Sequence, residues 1–218
     1  TGPFLCFKEL KHEDINEQLP EERNGFITLG TLNNPRKFTQ DSIRVWSEIL
    51  KQAPNAHFLI ARSVFDSQAM KANILNEFAL NEIPSERIIL KLPPNKSRFL
   101  LSYNEIDIAL DTFPYTGTTT TLDTLWMGVP LISLTGSSIH QRNSASILHF
   151  CGHSEWIAHT QEEYISLCMQ LMADQDKRRD CRLRLRSQLL ESRLTDPKQF
   201  TVDFLETLRE MIELKATQ

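Results

Sequence analysis

Short apolar runs alternate with amphipathic stretches along most of the chain. FITLG at 26–30, HFLIA at 57–61, RIILKL at 87–92, IDIAL at 106–110 and VPLISL at 129–134 are each bounded by polar or turn-forming residues and read as strands. Between them Ile43, Trp46, Ile49 and Leu50 recur at helical spacing, and so do Met70, Ile74, Leu75 and Phe78. Strand, helix, strand, repeated, predicts a Rossmann-like α/β fold: a parallel sheet with right-handed crossovers and helices on its faces. After Trp156 the strand pattern stops, and segments near 160–173, 176–191 and 198–215 read as helices, the last preceded by the turn signal DPK. Residues 1–24, polar and carrying Pro3 and Pro20, read as a lead-in linker or surface segment. The pattern thus predicts one lobe over 25–218, with C-terminal helices at 160–216 packing on it.

In open parallel sheets ligands bind beyond the carboxyl ends of the strands, which directs attention to the loops after 30, 92 and 110. The third of these leads into YTGTTTTLDTLWMGVPLISL, residues 115–134. A helix is expected to begin within the Thr run and to end near Gly128, just before Pro130. Two readings of its start stand. The first-turn N–H groups lack helical partners and carry partial positive charge, so with the Thr hydroxyls they suit a phosphate, and Asp123 suits sugar hydroxyls. Alternatively, Thr120-Thr121-Leu122-Asp123 fits the S/T-x-x-D/E signature of a helix that caps itself, and this stretch by itself favours that reading.

The loop after the first strand, GTLNNPRKF, offers Asn33, Asn34 and Lys37 just before a helix whose N-cap is Thr39 or Asp41. Lys37 falls where the topology expects a ligand. The loop KLPPNKSRFLLSY adds Lys96 and Phe99; Phe99 reads either as a core residue beside Leu100 and Tyr103 or as a flat surface for a base.

Composition narrows the chemistry. Of 218 residues 40% are hydrophobic and 24% charged, as in a soluble globular protein. A net charge of −4 gives no basic face for nucleic acid, so any anion is bound locally. Cys6, Cys151, Cys168 and Cys181 show no paired metal spacing, and a domain of this size needs no disulfides. That favours a reducing, cytoplasmic setting, and no stretch approaches the ~20 apolar residues of a membrane span. The chain opens TGPFLCF, without Met, as a piece cut from a longer polypeptide would. Neither G-x-G-x-x-G after the first strand nor a P-loop occurs. The charge of a bound diphosphate would then be met by Lys37 and helix N–H groups, with no metal and no cofactor.

Three other signals are set aside. His149, Cys151 and His153 in HFCGH match no common zinc spacing, and Gly152 reads as a helix C-cap. DKRRDCRLRLR, interleaved by Leu183, Leu185 and Leu189, reads as a solvated helix face. Ser144 and Ser146 come with no His and Asp arrangement that sequence can place, so neither is read as a nucleophile; Arg142 stands near a helix start and reads as a donor-orienting candidate.

ITLGTLNNPRKFTQDSIRVWSEILKQAPNAHFLI, LDTFPYTGTTTTLDTLWMGVPLISL and SIHQRNSASIL together resemble the C-terminal catalytic half of the O-GlcNAc transferases and their bacterial relatives, the family 41 glycosyltransferases, from about Asn24 onward. The resemblance implies the second, UDP-sugar-binding lobe of an inverting GT-B glycosyltransferase that modifies protein, with UDP-GlcNAc or a UDP-hexose as donor. It also implies a first catalytic lobe elsewhere in the polypeptide, often with tetratricopeptide repeats in front. Lys37 would contact the distal phosphate and stabilise the leaving group, with Asn34 nearby. The family's H-T-T-G-x-D run falls on Thr118 to Asp123, so Thr119 and Thr120 would hold the diphosphate, while Asp123 and Lys96 would hold the ribose. The sequence departs at Thr118 (family His), Thr121 (Gly), Phe99 (a His beside the uracil) and Ser102 (Arg), which affects the base contacts and sugar choice. Phe99 can still stack on uracil. The alternatives are a degenerate, non-catalytic sugar-nucleotide-binding module and a UDP-sugar epimerase of similar fold.

Overall fold

The computed structural model describes residues 2–10, 14–93 and 96–216. Six strands form one all-parallel sheet: β1 (Thr28–Thr31), β2 (His57–Ala61), β3 (Ile88–Lys91), β4 (Ile108–Leu110), β5 (Leu131–Leu134) and β6 (Ile157–Ala158). Their order is β3-β2-β1-β4-β5-β6, so successive crossovers run outward in opposite directions from the β1–β4 pair. At such a reversal the loops leaving the two strands diverge and open a crevice. Here those are the loops carrying Lys37 and the Thr run.

Eight α-helices accompany the sheet among the described residues: α1 (Pro20–Asn24), α2 (Gln40–Gln52), α3 (Gln68–Leu80), α4 (Thr119–Trp126), α5 (Ile139–Phe150), α6 (Gln161–Ala173), α7 (Gln175–Glu191) and α8 (Pro197–Ala216). Of the two caps considered for α2, Thr39 is the one used. Its Oγ1 accepts from Ser42 N–H (3.1 Å) and Ser42 Oγ accepts from Thr39 N–H (2.9 Å). The predicted stripe Ile43, Trp46, Ile49 and Leu50 is buried, and on α3 Ile74 and Phe78 are buried while Met70 and Leu75 pack at the edge of the core.

Trp46 joins this core to the crevice. Its ring stacks on Phe58 of β2 (5.0 Å), and its Nε1 donates to Tyr164 Oη of α6 (3.2 Å). Tyr164 Oη in turn donates to the carbonyl of Asp111, the first residue after β4 (2.9 Å).

Three expectations are corrected. A strand does follow Trp156: β6 pairs with β5 through Ser133↔Ile157 and Leu134↔Ala158. Two residues carry no legible alternation, so only the neighbouring strand reveals it.

The basic run on α7 is not a solvated face. Arg178 and Arg182 are each only 2% exposed. Arg182 donates to the carbonyls of Ile106 (2.6 Å) and Met127 (3.2 Å), and Arg186 Nε to that of Trp126 (2.8 Å). Arg178 serves the carbonyls of Leu171 and Met172 and pairs with Glu21 (2.5 Å). The last carbonyls of a helix need donors, and α7 supplies them to α4 with its guanidinium groups. Gly128 permits this approach: it takes φ +70°, and a Cβ there would lie 2.7 Å from the Arg182 carbonyl oxygen.

The third correction concerns the start of α4. Its N-cap is Thr118, two residues before the one the signature indicated, and no side chain caps it.

The N-terminal segment lies on this side of the fold. Leu19 is buried, Glu21 N–H donates to Asp107 Oδ1 (3.2 Å), and Phe7 meets Trp126 edge-on at 6.0 Å. At the other end α8 leaves Phe204, Met211 and Ile212 more than half exposed. No helix among the described residues is long and apolar enough to cross a membrane.

Candidate functional site

The crevice is organised by a carboxylate that carried no signal in the sequence reading. Asp111, fully buried, receives the N–H groups of Thr112 (2.9 Å) and Gly117 (2.9 Å) and Asn33 Nδ2 (3.0 Å) on Oδ1, and Ser133 Oγ (2.8 Å) on Oδ2. Burial pushes its carboxyl above the ordinary range, opposed by the hydroxyls of Ser144 and Ser133, the Gly117 N–H and the charge of Lys37. One side chain thus closes the 111–117 loop on itself and ties it to the loop after β1. Gly117 is required there, because a Cβ would crowd Thr121 Oγ1 and stand 2.8 Å from Thr120 Oγ1.

Lys37 closes the second half of the frame. It sits in a short 3-10 turn, Pro35–Lys37, and its Nζ donates to the Thr116 carbonyl (2.9 Å) and to Asn33 Oδ1 (3.4 Å). It also lies 4.5 Å from the centroid of the Tyr115 ring. An ammonium has three donors, so one remains to meet a ligand. Partial burial lowers the Lys37 pKa, Asp111 raises it and Arg62 lowers it further. Thr120 Oγ1 donates to the same Asn33 Oδ1 (2.8 Å). Asn33 is therefore the link between Lys37, Asp111 and α4, whereas Asn34 is exposed and its Oδ1 accepts from Arg36 N–H (3.1 Å), capping the 3-10 turn.

At the start of α4 the first helical bond runs from Leu122 N–H to the Thr118 carbonyl (3.1 Å). Among the described residues nothing accepts from the N–H groups of Thr119, Thr120 and Thr121. These groups face the crevice end of the helix with their partial positive charge unmet. Thr119 is exposed, Thr120 partly buried, and Thr118 Oγ1 accepts from Asn143 Nδ2 of α5 (3.1 Å). Further along, Asp123 is 8% exposed, and burial pushes its carboxyl up to about 6, with Arg62 opposing. Tyr103 Oη donates to the Thr120 carbonyl (3.1 Å), bracing the first turn from below.

Phe99 shows both characters read from sequence. It is partly buried, meets Tyr103 edge-on at 6.3 Å, and has the Arg62 guanidinium 4.7 Å from its ring centroid. The Lys96 side chain lies outside the described residues. Arg142 is exposed on α5, and Ser144 Oγ is taken up by Thr121 Oγ1 (2.7 Å) and the Gly117 carbonyl (3.1 Å), a structural role. His149 pairs with Ser154 Oγ (3.1 Å), and His153 stacks on Trp156 at 4.2 Å.

The structure thus brings Lys37, Thr118, Thr119, Thr120 and Asp123 to one crevice and sets Phe99 at its side. It adds Asp111 and Arg62, and of the two asparagines in the loop after β1 it is Asn33 that reaches the crevice. In the sequence Asp111 is only the residue that follows the IDIAL run, and nothing in IDIALD separates a buried hub from a surface turn.

Comparison with known proteins gives a consistent answer. The glycosyl transferase family 41 profile matches residues 16–204. A Petunia hybrida protein described as a probable UDP-N-acetylglucosamine–peptide N-acetylglucosaminyltransferase SPINDLY is 32% identical over 210 residues, covering 95% of this chain and 22% of its own. A Caenorhabditis elegans UDP-N-acetylglucosamine–peptide N-acetylglucosaminyltransferase is 27% identical, covering 97% of this chain and 18% of its own. Among solved structures, a Thermobaculum terrenum O-GlcNAc transferase mutant superposes with a TM-score of 0.78 at 30% identity, over 86% of this chain and 36% of that one. TarM, at 12% identity and a TM-score of 0.61, shares the fold. The chain spans about a fifth of the length of the curated relatives it matches. With the family profile running from the first turn of the fold to its last helix, this chain belongs to glycosyl transferase family 41.

Proposed function

We propose that this lobe binds the donor of a UDP-sugar:protein glycosyltransferase, and that Lys37 and the open first turn of α4 hold the diphosphate. The observation that carries the reading is the pairing, across the β1–β4 switch, of a cation with a spare donor and three helix N–H groups without acceptors. A diphosphate is the ligand whose charge and oxygen count match that set. Its charge is met by protein donors, so binding needs no metal or cofactor.

In transfer, negative charge develops on the departing UDP. Lys37 Nζ and the N–H groups of Thr119 and Thr120 are fixed in advance by Asn33, Asp111 and the Thr116 carbonyl, so little reorganisation is needed as that charge grows. Asp123, as a carboxylate, accepts from the ribose hydroxyls, and Phe99 offers its free ring surface to the base. The acceptor is a protein, as the names of the relatives indicate for them. Groups that position the acceptor and take its proton are assigned to polypeptide outside these 218 residues.

The test is transfer itself. The chain is incubated with UDP-sugars and candidate protein acceptors, alone and joined to its upstream polypeptide, and product is sought by mass spectrometry. Transfer only in the joined protein supports the reading. Turnover by the 218 residues alone, or none in either form, overturns it.

A further inference from the structure

The helix assigned to the diphosphate starts from a threonine, a residue type that ordinarily closes such an end. A Thr at the N-cap sits in extended backbone and turns its hydroxyl onto the N–H groups two or three positions on, which would occupy the donors a ligand needs. Thr118 does neither. Its φ and ψ are −140° and −80°, outside the extended region, and no side chain caps the helix. Its Oγ1 is taken instead by Nδ2 of Asn143, a half-buried side chain of α5 (3.1 Å).

The same helix holds the two residues before Thr118. Thr116 donates its N–H (3.1 Å) and its Oγ1 (2.9 Å) to the His140 carbonyl, and Ser144 Oγ donates to the Gly117 carbonyl (3.1 Å). Nearby hydroxyls are committed as well, Thr120 Oγ1 to Asn33 Oδ1 (2.8 Å) and Thr121 Oγ1 with Ser144 Oγ (2.7 Å). Among the described residues, Asn143 alone bonds the Thr118 side chain. A hydroxyl has one donor besides its lone pairs, so with Asn143 on the oxygen the Thr118 O–H is left to donate to a ligand.

Resting on the donor-site reading above, we propose that Asn143 is a positioning residue of the diphosphate site: by holding the Thr118 hydroxyl it keeps α4 from capping itself and leaves the first-turn N–H groups open. Without Asn143, Thr118 can turn to extended backbone. Its Oγ1 then competes with a phosphate oxygen for the N–H groups of Thr120 and Thr121, and its own O–H is withdrawn from the ligand.

Amide hydrogen exchange followed by NMR, and calorimetry with pyrophosphate, UDP and uridine, test this on the purified protein. In Asn143→Ala the Thr120 or Thr121 amide should exchange about fivefold more slowly than in wild type, as a newly capped group does. Pyrophosphate and UDP should weaken about 10-fold, with uridine nearly unchanged. Thr118→Val gives up the O–H and keeps the N–H groups open, so it should cost only about twofold. The combination decides the matter. Adding Thr118→Val to Asn143→Ala leaves no hydroxyl at the N-cap, so exchange should return to the wild-type rate and pyrophosphate should tighten to the level of Thr118→Val alone. A second substitution would not repair a merely structural loss. Unchanged exchange and pyrophosphate affinity in Asn143→Ala, a double variant as weak as Asn143→Ala, or equal losses for UDP and uridine would overturn the role of Asn143 while leaving the donor site standing. Wild-type protein that binds neither pyrophosphate nor UDP would overturn the donor-site reading, and this inference with it.

Discussion

Replacing Asp111 should damage the crevice more than any surface residue near it. In Asp111→Ala four buried donors lose their acceptor: the N–H groups of Thr112 and Gly117, Asn33 Nδ2 and Ser133 Oγ. A donor left unsatisfied in the interior costs roughly 1–3 kcal/mol. The Ser133 hydroxyl can rotate, and Asn33 Nδ2 has Thr31 Oγ1 at 3.5 Å as a weak alternative, so the two backbone groups dominate. Their loss comes to about 2–6 kcal/mol, reduced somewhat by relief from burying a carboxylate, and a net loss of about 3 kcal/mol is expected. For a chain of this length that corresponds to a fall in Tm of roughly 6–12 °C. Asp111→Asn keeps an acceptor for the backbone N–H groups and should lose only about 1 kcal/mol. Urea denaturation followed by circular dichroism measures both. If Asp111→Ala unfolded within ~0.5 kcal/mol of wild type, or the Asn variant were the worse of the two, the hub role of this carboxylate would be wrong.

Further outcomes follow from the same geometry. Asp107 and Asp123, each pushed up to about 6 by burial, hold more protons folded than unfolded. Their contribution to stability is therefore fully present below the ordinary Asp pKa and is lost as pH rises through about 6, so unfolding free energy should drop by ~2 kcal/mol for each between about pH 4.5 and 7.5; a flat or rising urea profile would contradict this. UDP affinity should run the other way, weakening as pH falls through about 6 and Asp123 takes up its proton, and an affinity constant from about pH 5 to 8 would remove Asp123 from the ribose site. Arg182→Met, which strips donors from the Ile106 and Met127 carbonyls, should destabilise by about 2–4 kcal/mol, whereas Arg184→Met, on an exposed pair with Asp180, should change stability by under about 0.5 kcal/mol. Denaturant midpoints that ranked the two variants in the opposite order would refute the account of α7.

Much of the fold was legible because parallel strands buried on both faces read as continuous apolar runs, and the helices between them keep one apolar stripe. Their edges were less legible. IDIAL was expected to pair from Ile106, but β4 begins at Ile108, because the Asp107 carboxylate accepts from Thr28 N–H (2.8 Å) where a ladder bond would otherwise stand. The arginines of α7 were misread since charge composition does not reveal which carbonyls lie opposite; only the termination of α4 against that helix does. At the site, Lys37 and the Thr run were visible from topology and spacing, while the roles of Asn33, Asp111 and Arg62 depend on partners far along the chain: Asn33 meets Asp111 and Thr120, and Arg62 meets Phe99. The self-capping reading of α4 failed because the helix starts two residues earlier: Thr120 lies inside its first turn and donates its hydroxyl to Asn33 Oδ1, and the N–H groups of Thr119, Thr120 and Thr121 stay open.

The central claim is that Lys37 and the first turn of α4 hold a diphosphate. Calorimetry of UDP and uridine on wild type and Lys37→Met, with and without EDTA, tests it most directly. The account predicts UDP binding indifferent to EDTA, weakened by about 10-fold or more in Lys37→Met, with uridine affinity nearly unchanged. Equal losses for UDP and uridine, or UDP binding abolished by EDTA, would contradict it.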